Sequence, residues 1–154
     1  EPLIGRPAVL QGIKTFLATA GGQSVDELKQ ALASASGKNL DAYFDAWVFG
    51  QGKPEWPTFD IKTNQVGADV TITVTQQNAS GKLYGCVVEV ELRGATSSTR
   101  ALIDFGVAPS QASATASATL NEPVTSVILD PDNRLIGRKA GAPPIMVKRP
   151  VLIF

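Results

Sequence analysis

The sequence contains no histidine and a single cysteine, Cys86, in 154 residues. Without histidine, neither a Ser-His-Asp nor a Cys-His arrangement forms within the chain, and an HExxH zinc helix is excluded as well. One cysteine forms no intrachain disulfide and leaves the redox compartment unread. With only scattered carboxylates beside it, that cysteine makes a poor zinc ligand set. Net charge is also lacking, with 14 basic residues against 14 acidic ones, which argues against nucleic acid as the main partner. No apolar run reaches the roughly 18 residues of a membrane span. The opening EPLIGRP lacks the basic start and apolar core of a signal peptide. Aromatics amount to only 6%.

What remains is a globular composition, 44% hydrophobic and 18% charged, of a length for one ordinary domain or a small domain with an appendage. Its first third reads as helix. Val9, Leu10, Ile13, Phe16 and Leu17 recur at helical spacing within Leu3–Ala20, with Pro7 in the first turn and Gly21-Gly22 at the end. Ser24 and Glu27 form a capping-box pattern ahead of Val25, Leu28, Leu32 and Ala35, and Gly37 stops that helix. A third helix is expected from Asn39 as N-cap, with Asp41 in its first turn. Its apolar stripe is Leu40, Tyr43, Phe44, Trp47 and Val48, and Gly50, Gly52, Pro54 and Pro57 close it.

From Thr58 the period changes to two. Phe59 and Ile61, then Val70, Ile72 and Val74, alternate with polar residues. Tyr84, Cys86, Val88, Val90 and Leu92 point one way, and Val87, Glu89, Glu91 and Arg93 the other. Arg100–Phe105, Ala112–Leu120 and Val124–Leu129 are further strands, with turn chemistry at Asn78–Gly81 and Asp130–Asn133. The expected fold is α+β: about three short helices followed by an antiparallel, immunoglobulin-like β-sandwich. Ala140–Pro144 reads as a linker. Ile145–Phe154, apolar but broken by Lys148, Arg149 and Pro150, reads as an edge strand or a docking tail.

The candidate chemical sites resolve into structural ones. Cys86 sits in an apolar row and reads as a small core residue. Glu89 and Glu91 share a strand face about 7 Å apart, a glycosidase-like spacing, and read as a solvated outer face. Asp41 and Asp45 stand at i,i+4 with nothing catalytic beside them. Asp130-Pro131-Asp132-Asn133 begins like a calcium loop, but Leu135 replaces the turn glycine and Gly141 the bidentate glutamate. Gly50-Gln51-Gly52 follows a helix instead of a strand, and Glu55 replaces the third glycine of a dinucleotide fingerprint. Arg134, Arg138, Lys139, Lys148 and Arg149 read as a solvated basic tail. No catalytic, cofactor-binding or metal-ligating residue is assigned.

One stretch resembles a known family. Ala35-Ser36-Gly37-Lys38-Asn39-Leu40-Asp41-Ala42-Tyr43-Phe44-Asp45-Ala46-Trp47-Val48, followed by Gly52-Lys53-Pro54, is similar to the end of the catalytic domain in M1-family zinc aminopeptidases. There a pattern SG-x-(D/N)-L-x-x-(F/Y)-F-x-x-W and then G-x-P closes the helical part. Ile4–Phe16 resembles the preceding helix, and Thr58–Leu135 the immunoglobulin-like sandwich that follows in many members.

The resemblance implies that residues 1–53 end a metallopeptidase domain and that 54–57 form a junction packed by Tyr43, Phe44, Trp47, Pro54 and Trp56. It further implies that 58–139 form the sandwich and 140–154 a linker and tail. The family's HExxH, GxMEN-like motif and catalytic tyrosine have no counterpart, so the chain alone is expected to be inactive and to bind no zinc. The parent would use zinc in its upstream region to hydrolyse peptides, and its other domains would be this chain's partners. For that parent the expected setting is bacterial and extracytoplasmic, periplasmic or secreted. The reading from a different class is a stand-alone β-sandwich module that binds a peptide, glycan or protein.

Overall fold

The computed structural model describes residues 1–18, 20–21, 24–50, 55–135 and 137–141. Among them run the helices α1 (Arg6–Ala18), α2 (Val25–Ser36) and α3 (Asp41–Trp47). The strands are β1 (Thr58–Val66), β2 (Asp69–Gln76), β3 (Val87–Arg93), β4 (Ser98–Asp104), β5 (Ser113–Thr119), β6 (Ser126–Leu129) and β7 (Arg138–Lys139).

The α2 capping box forms as its sequence dictates. Ser24 Oγ accepts from the Glu27 N–H at 3.2 Å, and Glu27 Oε2 accepts from the Ser24 N–H at 2.6 Å. Gly37 takes the left-handed conformation, φ 66°, and its N–H reaches the Ala33 carbonyl. At α3 the expectation shifts by a residue. Leu40, not Asn39, is the N-cap; it is buried in the apolar interior, so the chain turns into the helix one residue late. Asn39 instead closes a local turn, its Oδ1 accepting from the Asp41 N–H at 2.8 Å. The helix ends at Trp47, ahead of Gly50, while Gly52 and Pro54 lie outside the described residues.

The helices α1 and α2 pack at Gly12, which is buried. A Cβ there would stand 2.8 Å from Leu32 Cδ2 and 3.0 Å from Leu32 Cα, so only glycine permits this approach. With Gly12 turned inward, Leu10, Ile13 and Leu17 are left on exposed surface of α1.

The strands form a four-stranded sheet, β5-β2-β1-β7, and a three-stranded sheet, β4-β3-β6. They face each other across one apolar cluster. Phe59, Val70, Ile72 and Val74 come from the first sheet, Val88, Val90, Leu92 and Ile103 from the second. Ala114, Ala116 and Ala118 of β5 pack against this cluster, as the alternation of alanine with serine or threonine predicts. The α+β fold is therefore a pair of predominantly antiparallel sheets preceded by helices, with no closed barrel.

One pairing departs from the antiparallel expectation. β7 runs parallel to β1, with Thr58 opposite Arg138. Left-handed backbone at Asp130 (φ 46°) and Asn133 (φ 52°) turns the chain after β6. The Asp130 carboxylate holds that turn by accepting from the N–H groups of Arg134 and Leu135. The chain then crosses Phe59 at Gly137, where a Cβ would lie 2.8 Å from the ring, and reaches the far edge of the other sheet. Ala140 and Gly141 form a turn, whereas residues 142–154, with Lys148, Arg149 and the tail Ile145–Phe154, lie outside the described residues.

Candidate functional site

The strongest constellation joins α3 to the sandwich. The Trp47 indole N–H donates to the Gly85 carbonyl at 3.0 Å, and its ring meets Tyr84 edge-on with centroids 4.9 Å apart. Gly85 is fixed as glycine from another direction, since a Cβ would stand 2.4 Å from the Val107 carbonyl oxygen. The Tyr84 hydroxyl donates to the Glu55 carbonyl at 2.9 Å. Lys82 Nζ donates to the Asp45 carbonyl at 3.1 Å and lies over the Tyr84 ring. The Glu55 carboxylate accepts from the Ser80 N–H and hydroxyl, and these bonds hold it below the ordinary carboxylate range. Buried Gln76 closes the arrangement: its amide donates to the Tyr84 carbonyl and accepts from the Tyr84 N–H.

Of the residues expected to pack this junction, Tyr43, Phe44 and Trp47 form a contiguous aromatic run, with Phe44 buried. Trp56 is exposed and is covered on one face by the Arg138 guanidinium, 5.3 Å from the ring centroid. Pro54 lies outside the described residues.

Beside Trp47 lies a groove of about 170 Å³. Leu3, Tyr43, Cys86, Leu102 and Leu135 supply much of its apolar wall, with charges from Glu89, Asp130 and Arg134. Cys86 offers no nucleophile there, because burial pushes its thiol up to about 12.

The carboxylate pair corrects the sequence reading. Glu89 and Glu91 do not lie on a solvated face; Glu91 is only 6% exposed. Arg93 on the same strand and Arg100 and Arg134 from distant positions cover them. Arg93 Nε lies 2.8 Å from Glu91 Oε1, and Arg100 spans Glu89, Glu91 and Asp132. Arg134 pairs with Asp132 at 2.8 Å and approaches Glu89 at 3.9 Å. The Arg93 hydrogen bond is the main cause holding Glu91 below the usual carboxylate range. Both carboxylates thus face arginines in one ion-pair network.

Of the residues read as a solvated basic tail, Arg134 and Lys139 are exposed and Arg138 half-buried, while Lys148 and Arg149 lie outside the described residues; the first three nevertheless have partners. Arg134 belongs to that network, Arg138 sits on Trp56, and Lys139 Nζ donates to the Val127 carbonyl at 3.2 Å. Asp41 pairs with Lys29 at 2.8 Å and does not line the groove beside Trp47. Asp130 and Asp132 are committed to the turn and to arginines. Among the described residues, no group of three His, Cys, Asp or Glu side chains converges as a metal site, so these residues do not fit a zinc ion.

Two polar anchors escaped the sequence reading. Glu122 lies against the β3–β4 loop, where its carboxylate accepts from the N–H groups of Ala95, Thr96 and Ser97. Gln65 ties down the β5–β6 connection that carries Glu122, donating to the carbonyls of Leu120 and Glu122 and accepting from the Val124 N–H. Gln76 did carry a signal, since it continues the inward row Val70, Ile72, Val74.

No protein-family model matches this sequence, and no curated protein does. Among solved structures, its fold is similar to part of Legionella pneumophila aminopeptidase A, known from a crystal structure in complex with aspartic acid. The TM-score is 0.65 at 11% sequence identity, and the match covers 92% of this chain and 16% of that one. The likeness is one of fold, and the chain spans under a fifth of that enzyme's length.

Proposed function

We propose that this chain is the non-catalytic C-terminal part of an M1-type zinc aminopeptidase, in which α1–α3 close the catalytic domain and β1–β7 form the adjoining sandwich. The observation that carries this reading is the fold likeness to an aminopeptidase, which includes 92% of the chain, helices and sheets together. Two features support it. Trp47, Tyr84 and Gly85 bind α3 firmly to the sandwich, as a piece that shapes a neighbouring site requires. On α1, Leu10, Ile13 and Leu17 present an apolar stripe to solvent, which suits a helix whose packing partner belongs to a larger domain. Peptide hydrolysis by zinc-activated water would belong to that larger protein, in an extracytoplasmic bacterial setting, and would use none of the residues described above.

The test is direct. The purified chain with added zinc should release nothing from aminoacyl anilides and hold no stoichiometric metal, while the reading frame upstream of Glu1 should encode an HExxH helix. Zinc-dependent cleavage by the chain, or an upstream frame without that helix, would sink the reading.

A further inference from the structure

The groove beside Trp47 is lined by one unpaired rung of β3. Along this strand the backbone groups alternate in direction. The Phe105 N–H donates to the Cys86 carbonyl on the β4 side, and the Asp130 N–H donates to the Glu89 carbonyl on the β6 side. By the antiparallel alternation, Gly85, Val87 and Glu89 direct their groups away from β4. The Gly85 carbonyl takes the Trp47 indole N–H. Pairing with β6 begins at Val90 and is prolonged by Asp130 at Glu89. Val87 stands between these two closures. Among the described residues, no hydrogen bond meets its N–H or carbonyl on that side, and Val87 lines the groove.

The carboxylate two places on is also incompletely used. Glu89 Oε1 accepts from Arg100 Nη1 at 3.4 Å, whereas buried Oε2 has no hydrogen bond. The Arg134 guanidinium stands off from Oε2 at 3.9 Å. Leaving a buried charged acceptor without a donor is costly. The Arg134 side chain is 69% exposed and pairs more closely with Asp132, at 2.8 Å, so it can leave Glu89 and keep its main partner. Asp130, on the same groove wall, spends its carboxylate on backbone N–H groups rather than on a cation. The charge lining the groove therefore favours an incoming cation.

Size and wall chemistry narrow that cation. At about 170 Å³ the groove falls below the roughly 300–1,000 Å³ of sites that enclose a whole small molecule, and it suits one long side chain. Tyr43 and Trp47 line it. A guanidinium packs on aromatic rings while bonding a carboxylate, and it sheds water more readily than an ammonium. A residue placed opposite Val87 presents its side chain on the face that carries Glu89. The diagonal separation on such a face, about 7–8 Å, is within reach of an arginine.

We propose that the groove recognises a single arginine of a peptide: its backbone completes the rung at Val87, and its guanidinium replaces Arg134 at Glu89 Oε2, against Tyr43 and Trp47. The free Val87 groups select a peptide over an isolated organic cation, and the unmet Glu89 oxygen selects arginine within it. Because Trp47 and Asp130 close the row on either side, the peptide touches down at one residue, and its flanks leave the groove. This reading stands whether or not the chain belongs to an aminopeptidase.

The test is isothermal titration calorimetry of the 154-residue chain with Ac-Gly-Arg-Gly-amide, whose glycines let the backbone enter and leave. Saturable one-to-one binding is expected. Citrulline in place of arginine keeps the shape and removes the charge. It should weaken binding about ten- to a hundredfold, as losing a hydrogen bond between charged groups does. Methylating the backbone nitrogen of the arginine removes the donor to the Val87 carbonyl and should cost about three- to tenfold. Arginine amide, which lacks the preceding peptide, should bind more weakly than the tripeptide.

Two variants of the chain act in opposite directions. Glu89→Gln should abolish the preference for arginine over citrulline. Arg134→Gln alters an exposed side chain, should leave the unfolding midpoint unchanged, and should tighten binding of the arginine peptide by removing its competitor. That gain separates recognition at Glu89 from a general disturbance of the ion-pair network, and it remains measurable if Glu89→Gln fails to fold. Absence of saturable binding overturns the proposal. So does equal affinity for the citrulline peptide, indifference to backbone methylation, or an Arg134→Gln chain that binds no more tightly than the parent.

Discussion

Trp47 and Gly85, 38 positions apart, are joined by one hydrogen bond of 3.0 Å that fastens the last helix to the sandwich. The bond matters because the acceptor is a backbone carbonyl in a buried residue, with the indole ring itself excluding water. Trp47→Phe keeps most of the apolar contact and removes the donor. It should cost about 1–3 kcal/mol, the range for leaving a buried acceptor unpaired. Urea unfolding checks the magnitude. Hydrogen exchange should show α3 opening before the strands, since β1–β7 keep their own ladders.

Gly12 sets the separation of α1 and α2. Its absent Cβ leaves space that Leu32 fills, with backbone as well as side chain in the way of any replacement. Gly12→Val adds bulk that both helices must move to admit. Overpacking of this kind costs about 1–3 kcal/mol. The expected outcome is faster amide exchange throughout α1 and α2 with exchange in β2 and β3 unchanged, because no core residue of the sandwich touches Gly12.

These residues also show where the sequence was legible. The inward rows of β2 and β3 and the alanine row of β5 could be read from alternation, because one face of each strand is covered by the other sheet. The capping box of α2 could be read because Ser24 and Glu27 answer each other within one turn. Glu91 could not be read correctly. A polar residue between Val90 and Leu92 looks solvated, and although Arg93 stands two places on, Arg100 reaches it only because β4 pairs beside β3. β7 was invisible for a related reason: two basic residues have no period, and only the turn at Asp130 brings them beside β1. For the junction, the aromatic stripe of α3 announced a buried face, but nothing near Trp47 in the sequence pointed to Gly85.

Glu122 supplies a pH dependence with a definite sign. Bonds from Ser97 and from the N–H groups of the β3–β4 loop hold its pKa below the ordinary value. A depressed folded pKa means the stabilisation is fully present above the unfolded value of about 4.3 and is lost as pH falls through the folded one. Glu55, Glu91, Asp41 and Asp132 are lowered as well and act in the same direction. Stability should therefore fall on acidification below about pH 4. Glu122→Gln removes one proton-binding site from that window. Unfolding midpoints measured from pH 2 to pH 6 should show a shallower acid slope for the variant, and an unchanged slope would remove Glu122 from this role.

The exposed stripe on α1 gives the sharpest comparison between the chain alone and the proposed aminopeptidase. Leu10 is 55% exposed and Leu17 is 71% exposed, so truncating them here removes little buried area. Leu10→Ala and Leu17→Ala should each change the stability of the isolated chain by no more than about 0.5 kcal/mol, as surface substitutions do. If α1 packs into a larger catalytic domain, the same side chains become core there. Each truncation should then cost about 2–5 kcal/mol in the whole protein. Measuring both variants in both contexts decides the matter. Equal, small effects in the two would mean that the stripe faces solvent in the whole protein too, and that the helices do not close a catalytic domain.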